Sequence, residues 1–260
     1  MTRRNEAEVK EQRERRSYDQ QCGLAFALDL VGERWTLLIV RELLLRPRRY
    51  RELLDALPGI GTNLLAERLN LLTQTGIIRP LDTERRTAGY TLTELGERLR
   101  EPVLAMARFG LAVLAERPAE LPAGVRRASW AVLAIEAMAD PERARTDETY
   151  EFDISGEVFH VVVHGGRVRT STGPATDPVL RIATDTQTFF DLGSRVIEPV
   201  EAVLTGSVTV QGPPAAVPRC LYLLGLGPDP GERPALDAST HRAAALARMQ
   251  ARTTAGAVAG

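Results

Sequence analysis

Cysteine is scarce in this chain: Cys22 and Cys220 are the only two, far apart in sequence, and they form neither a disulfide framework nor a metal-ligand spacing. No apolar run approaches the roughly 18 residues needed to cross a bilayer. The N-terminus is charged from Arg3 to Arg16, unlike a signal peptide, so the expected location is cytoplasmic with no membrane partner. Gly-rich phosphate loops, nucleophile elbows and paired carboxylates are also missing. His160 and His164 share a strand face, but four strand residues separate them by roughly 13 Å, too far to ligate one metal. They read as solvent-facing, and the chain is expected to be a non-enzyme without metal or cofactor. Lysine supplies one of the 33 basic residues, a bias from which no mechanism follows.

What is present divides in two. A chain of 260 residues exceeds one small domain and suggests about two. Net charge is −1 overall, but residues 1–100 hold 18 basic against 15 acidic side chains and the remainder 15 against 19. The first part is therefore mildly basic, and where its arginines lie matters more to DNA binding than overall charge.

Residues 22–99 are punctuated as helix, helix, helix, helix, hairpin. Two apolar-faced helices break at Gly32, a third follows Pro47, and the turn Pro58-Gly59-Ile60-Gly61 leads to a fourth with Thr62 as its N-cap, ending at Gly76. Ile77 to Leu81 alternates as a short strand, Asp82 to Ala88 is a polar loop, and Tyr90 to Leu92 returns. This is the layout of a winged helix-turn-helix, in which one helix enters the major groove and the wing lies over the backbone. At about 100° per residue, Leu64, Leu65, Leu69 and Leu72 face inward, while Thr62, Asn63, Ala66, Glu67 and Asn70 face away. Asparagine can pair with adenine and a carboxylate can accept from cytosine. A polar helix face is equally consistent with simple solvation, but Arg46, Arg48, Arg49 and Arg51 before the third helix and Arg85 and Arg86 in the wing suit phosphate clamps. Arg68 falls within the apolar sector and either pairs internally or reaches a phosphate.

These residues resemble the HxlR-type bacterial transcription regulators. The pattern is Cys22, Gly32-Glu33-Arg34-Trp35, Pro47-Arg48-Arg49-Tyr50-Arg51-Glu52-Leu53 and Thr93-Glu94-Leu95-Gly96, over about 95 residues. Glycine follows Cys22 where the family usually has proline, and the recognition helix begins Gly61-Thr62-Asn63 where serine-proline is common, so no operator is carried over from a relative. The resemblance implies a homodimer on double-stranded DNA, joined through the first and last helices of the domain, and Thr93 to Ala115 is long enough to supply the last. It also implies, for a cysteine placed as Cys22 is, oxidant or electrophile sensing, against the alternative of a small buried residue at the dimer interface.

The second domain, 128–226, opens with a helix at Ser129 to Ala139 and turns to strands. Tyr150, Phe152 and Ile154 alternate, then Phe159, Val161 and Val163, with hairpins at Ser155-Gly156 and Gly165-Gly166. A strand at Val179 to Ala183, a helix with Phe189, Phe190 and Leu192, a helix from Pro199 to Leu204, a strand at Val208 to Val210 and a last helix to Leu224 complete an α+β sheet-and-helix layer. The order is similar to the sterol-carrier-protein-like fold, most specifically through Leu204-Thr205-Gly206-Ser207-Val208-Thr209-Val210-Gln211-Gly212. That resemblance implies an apolar effector pocket with Phe189, Phe190, Leu204, Leu221 and Leu224 as lining, while the same residues would also serve a dry core.

The expected organisation is an arm at 1–20, a winged helix-turn-helix at 21–115, a linker at 116–127, the sterol-carrier-like domain at 128–226 and a poorly ordered tail at 227–260 in which His241 to Arg252 has helical character. The expected function is a dimeric repressor reading an inverted repeat under control of an apolar small-molecule effector. One alternative places the sensor at Cys22; another makes the second domain a carrier or catalytic module and the first only a dimerisation unit.

Overall fold

The computed structural model describes residues 17–81, 89–117 and 124–231. The chain divides into two compact units, 1–106 and 107–260.

In the first unit, helices α1 (Gly23–Val31) and α2 (Thr36–Leu45) meet at a corner formed by residues 32–35. Helices α3 (Tyr50–Ala56) and α4 (Thr62–Gln74) follow. Leu65, Leu69 and Leu72 of α4 recur at helical spacing and are buried with Ile39, Val40 and Leu43 of α2 and Leu53 of α3. The N-cap of α4 is Gly61, whose side-chain-free backbone is extended; Thr62 is already helical, so its hydroxyl cannot take the capping place expected of it.

The wing has one strand more than the sequence suggested. Strands β1 (Arg48–Arg49), β2 (Ile78–Pro80) and β3 (Gly89–Leu92) form an antiparallel sheet in the order β1-β3-β2. Two arginines after a proline carry no alternation, so β1 leaves no periodic signal. Thr93 then caps helix α5 (Glu94–Glu97), its hydroxyl oxygen accepting from Gly96 N–H at 3.1 Å. A Cβ on Gly96 would lie 2.1 Å from the Ile77 carbonyl oxygen, so glycine allows this helix to approach the strand entry. The longer helix α6 (Arg100–Glu116) follows.

In the second unit, helix α7 (Trp130–Met138) precedes strands β4 (Glu148–Ile154), β5 (Glu157–His164), β6 (Arg167–Thr172) and β7 (Leu180–Thr184). Helices α8 (Thr186–Gly193) and α9 (Pro199–Leu204), strand β8 (Val208–Gln211) and helix α10 (Ala216–Leu223) complete it. The sheet order is β6-β5-β4-β7-β8, antiparallel except for the central β4·β7 pair. The alternating residues Tyr150, Phe152, Ile154, Phe159, Val161 and Val163 are all buried, and the paired Phe152 and Phe159 rings stack at 5.4 Å. At the end of β8, Gly212 has φ +133°, and a Cβ there would stand 2.2 Å from the Val179 carbonyl oxygen, which accounts for the glycine closing the Leu204–Gly212 phrase.

The expectations for the arm before residue 17, for Arg85 and Arg86 in the wing loop, for the linker at 118–123 and for the tail beyond 231, including His241 to Arg252, lie outside the described residues.

Candidate nucleic-acid interface and ligand cavity

Helix α4 carries two chemically distinct faces. Thr62, Asn63, Ala66, Glu67 and Asn70 are all exposed, while Leu65, Leu69 and Leu72 are buried on the other side. Two of the exposed side chains are bonded within the chain. Gln74 Nε2 donates to Asn70 Oδ1 at 3.4 Å, a long contact that a base edge could displace, and Glu67 pairs with Arg68 at 3.0 Å. The start of the helix is anchored by the Tyr50 hydroxyl, which donates to the Thr62 carbonyl at 2.7 Å.

The arginines expected as phosphate clamps separate by environment. Arg49, the N-cap of α3, and Arg51 in its first turn are exposed. Arg46, also exposed, bridges to Glu52 at 3.0 Å. Glu52 in turn accepts from the Arg49 backbone N–H at 2.7 Å, and this bond holds its carboxyl below the ordinary carboxylate range. Arg48 is placed differently from its neighbours. Its guanidinium donates to Glu42 Oε2 at 3.0 Å, and Glu42 is 0% exposed, with Arg41 on its other oxygen at 2.8 Å. A carboxylate so deep in the core needs both cations, so Arg48 serves the fold rather than standing ready for a phosphate. Arg79, exposed on β2, was not singled out from the sequence; its place one residue before Pro80 at the wing entrance was the available signal.

Arg68, ambiguous in the sequence, is 6% exposed and wholly internal in its bonding. It donates to Glu33 Oε2 at 2.9 Å, to Glu67 Oε1 at 3.0 Å and to the Arg34 carbonyl at 3.3 Å.

The second unit holds an apolar cavity of about 270 Å³ between the sheet and its helices. Phe189, Leu204, Leu221 and Leu224 line it, together with Phe152, Ile182 and Val210 from the strands. Phe190 does not: one residue on from Phe189, it is turned about 100° around α8 and sets its ring edge-on to Phe189, centroids 5.4 Å apart. The lining bears no charged side chain. Thr184 donates its hydroxyl to the Ser207 carbonyl at 2.7 Å, and burial pushes the Cys220 thiol up to about 12, so it stays neutral. Leu204 lines the cavity yet is 78% exposed, which places it at the rim.

Cys22 precedes the first turn of α1 and is exposed. The backbone N–H groups of Ala25 and Leu24 favour its thiolate and hold the thiol below its ordinary range. The histidines differ from expectation in one respect: His164 is exposed and 2.8 Å from the Asp147 carboxylate, but His160 is half-buried with Nδ1 2.9 Å from the Gly173 carbonyl. Among the described residues no three His, Cys, Asp or Glu side chains gather as a metal site, and no helix is long and apolar enough to cross a membrane.

Comparison with known proteins matches residues 30–117 to the HxlR-like helix-turn-helix family and residues 131–219 to the SCP-2 sterol transfer family. An uncharacterised HTH-type transcriptional regulator of Synechocystis is 37% identical over 91 residues, 34% of this chain and 67% of that protein. One of Mycobacterium tuberculosis is 38% identical over 86 residues, 32% of this chain and 54% of its own length, so the chain spans about half of that relative. The HTH-type transcriptional regulator YodB of Bacillus subtilis is 38% identical over 76 residues, 28% of this chain and 68% of that protein. The solved reduced form of YodB aligns with a TM-score of 0.32 at 32% identity, covering 35% of this chain and 92% of that one.

Proposed function

We infer the function from one premise: this chain belongs to the HxlR-like helix-turn-helix family. It is a helix-turn-helix transcription regulator with an SCP-2-type domain behind it. On our reading, two copies bind an inverted repeat in double-stranded DNA, each inserting α4 into a major groove, and repress transcription until an apolar molecule enters the cavity. The exposed polar face of α4, opposite its buried leucines and beside Arg49 and Arg51, carries the DNA-reading part. Asn63, Glu67 and Asn70 have base-edge chemistry, and Thr62 and Ala66 are exposed on the same face, a hydroxyl suited to a phosphate and a methyl suited to thymine. Arg49 and Arg51, with Arg85 and Arg86 of the wing, supply phosphate contacts, and each neutralised phosphate adds about −0.9 to the log-log salt slope.

The test uses a duplex enriched by the full chain from a randomised pool. Asn70→Ala weakens that duplex by about 1 to 3 kcal/mol and leaves scrambled DNA nearly unaffected, as read by anisotropy titration. Equal loss on both duplexes would reassign Asn70 to the backbone.

A second reading keeps DNA binding and places the sensor at Cys22. Its exposure and the amide groups that favour its thiolate support this reading. Under brief treatment of the native chain with an alkylating quinone analogue, peptide mapping finds adducts on Cys22 and none on the buried Cys220. Loss of operator binding on treatment, absent from Cys22→Ser, supports the thiol sensor; the same loss in both proteins removes it.

A further inference from the structure

We propose that Arg68 is the positioning residue of the base-reading helix: it fixes the rotation of α4 about its axis and thereby which atoms of Asn63, Glu67 and Asn70 face the groove. The inference rests on the DNA-reading function proposed above.

Arg68 stands where the helical period of α4 calls for an apolar residue, among Leu65, Leu69 and Leu72, all buried. A guanidinium in that place is costly to desolvate unless its donors are used, and here they are used in three directions. Nε and one terminal nitrogen go to the Arg34 carbonyl and the Glu33 carboxylate in the corner between α1 and α2. The other terminal nitrogen goes back to Glu67, on the exposed face of its own helix. One rigid planar group therefore connects the corner to a base-facing side chain. Its donors lie in a fixed fork, so the bonds specify an angle as well as a distance. A leucine could fill the same gap, but apolar contact is non-directional and leaves rotation to the rest of the core.

The corner is a firm anchor. Trp35 has φ +79°, in the left-handed region that a bulky side chain occupies only where its surroundings hold it. The Arg34 guanidinium lies over the Trp35 ring, 5.3 Å from its centroid. The same ring sits beside Gly59 in the turn leading into α4, where a Cβ would stand 3.7 Å from ring carbon Cη2. Residues 33–35 thus hold α4 at two places, through Arg68 in its middle and through the turn before its first residue.

The experiment compares the full-length wild type with Arg68→Gln, Arg68→Lys and Glu33→Gln, each titrated with the duplex enriched by the wild type and with a scrambled duplex across a range of salt. Arg68→Gln lowers the preference for the enriched duplex by about tenfold, the worth of one good base contact, while its affinity for scrambled DNA and its salt slope stay as in the wild type. Arg68→Lys recovers part of the preference, since it keeps a charge opposite Glu33 without the fork. Glu33→Gln shifts the preference in the same direction as Arg68→Gln. A purely structural role would depress both affinities together and spare the ratio. A folded Arg68→Gln whose preference stays within about twofold of wild type overturns the proposal. If that variant does not fold, Glu33→Gln, altered at a partly exposed carboxylate, decides by the same criterion. A wild type that enriches no sequence overturns the DNA-reading function and this inference with it, whereas enrichment without dependence on Arg68 overturns the inference alone.

Discussion

Replacing Phe26 and Phe109 together by glutamate yields a monomer in light scattering and lowers affinity for the enriched inverted repeat by roughly 10²- to 10⁴-fold. The two rings are 64% and 72% exposed. Helix α1 buries only Ala25 and Val31 and leaves Leu24 and Leu28 exposed beside Phe26, while α6 buries only Leu104 and exposes Met106 with Phe109. Apolar surface of this kind on a helix calls for a partner, and in the homodimer proposed above a second copy related by a two-fold axis would cover it. Because neither ring packs in the core of its own chain, the substitutions spare the protomer fold and remove only the linkage between half-sites. A dimer that survives both substitutions would locate the interface elsewhere.

The second large effect is at the cavity. Val210 on β8 pairs in register with Ile182 on β7, and both line the space. In Val210→Trp the indole occupies much of it, and binding of the uncharged fluorophore Nile red to the full chain weakens by at least about tenfold, equivalent to 1.4 kcal/mol. The melting temperature holds or rises, since the added ring makes contacts that the valine lacks. Linkage carries the effect to DNA. An apolar compound that weakens operator binding in the wild type is itself bound less tightly in the presence of operator, by the same factor, and has no effect on the variant. Wild-type affinity for Nile red in Val210→Trp would mean that the fluorophore binds outside this cavity.

The parts of the fold set by periodic apolar placement were legible in the sequence. Leu65, Leu69 and Leu72 located the buried side of α4, and the alternation from Tyr150 to Val163 located the central strands. Features that depend on a distant partner were not. Nothing local to Arg48 shows that it answers Glu42, because that carboxylate lies within an apolar helix and its burial follows from how α2 packs. Phe189 and Phe190 are adjacent and chemically identical, so only the phase of α8 decides which of them reaches the cavity. Alternation shows that a strand side chain points inward, but not whether the helices above leave room. Arg68 was visible as an anomaly, a charge in an apolar stripe, and its resolution needed the corner 34 and 35 residues upstream.

Thr93 gives the domain a short mechanical arm. Its hydroxyl donates to the Gly76 carbonyl at 2.6 Å, just past the end of α4, while its oxygen caps the helix that leads toward α6. The end of α4 and the start of the following helix lie within one side chain's reach of each other. In the homodimer proposed above, a tilt of the following helix would reach the end of α4 through this one side chain, and a change in subunit angle would become a change in the distance between the two copies of α4.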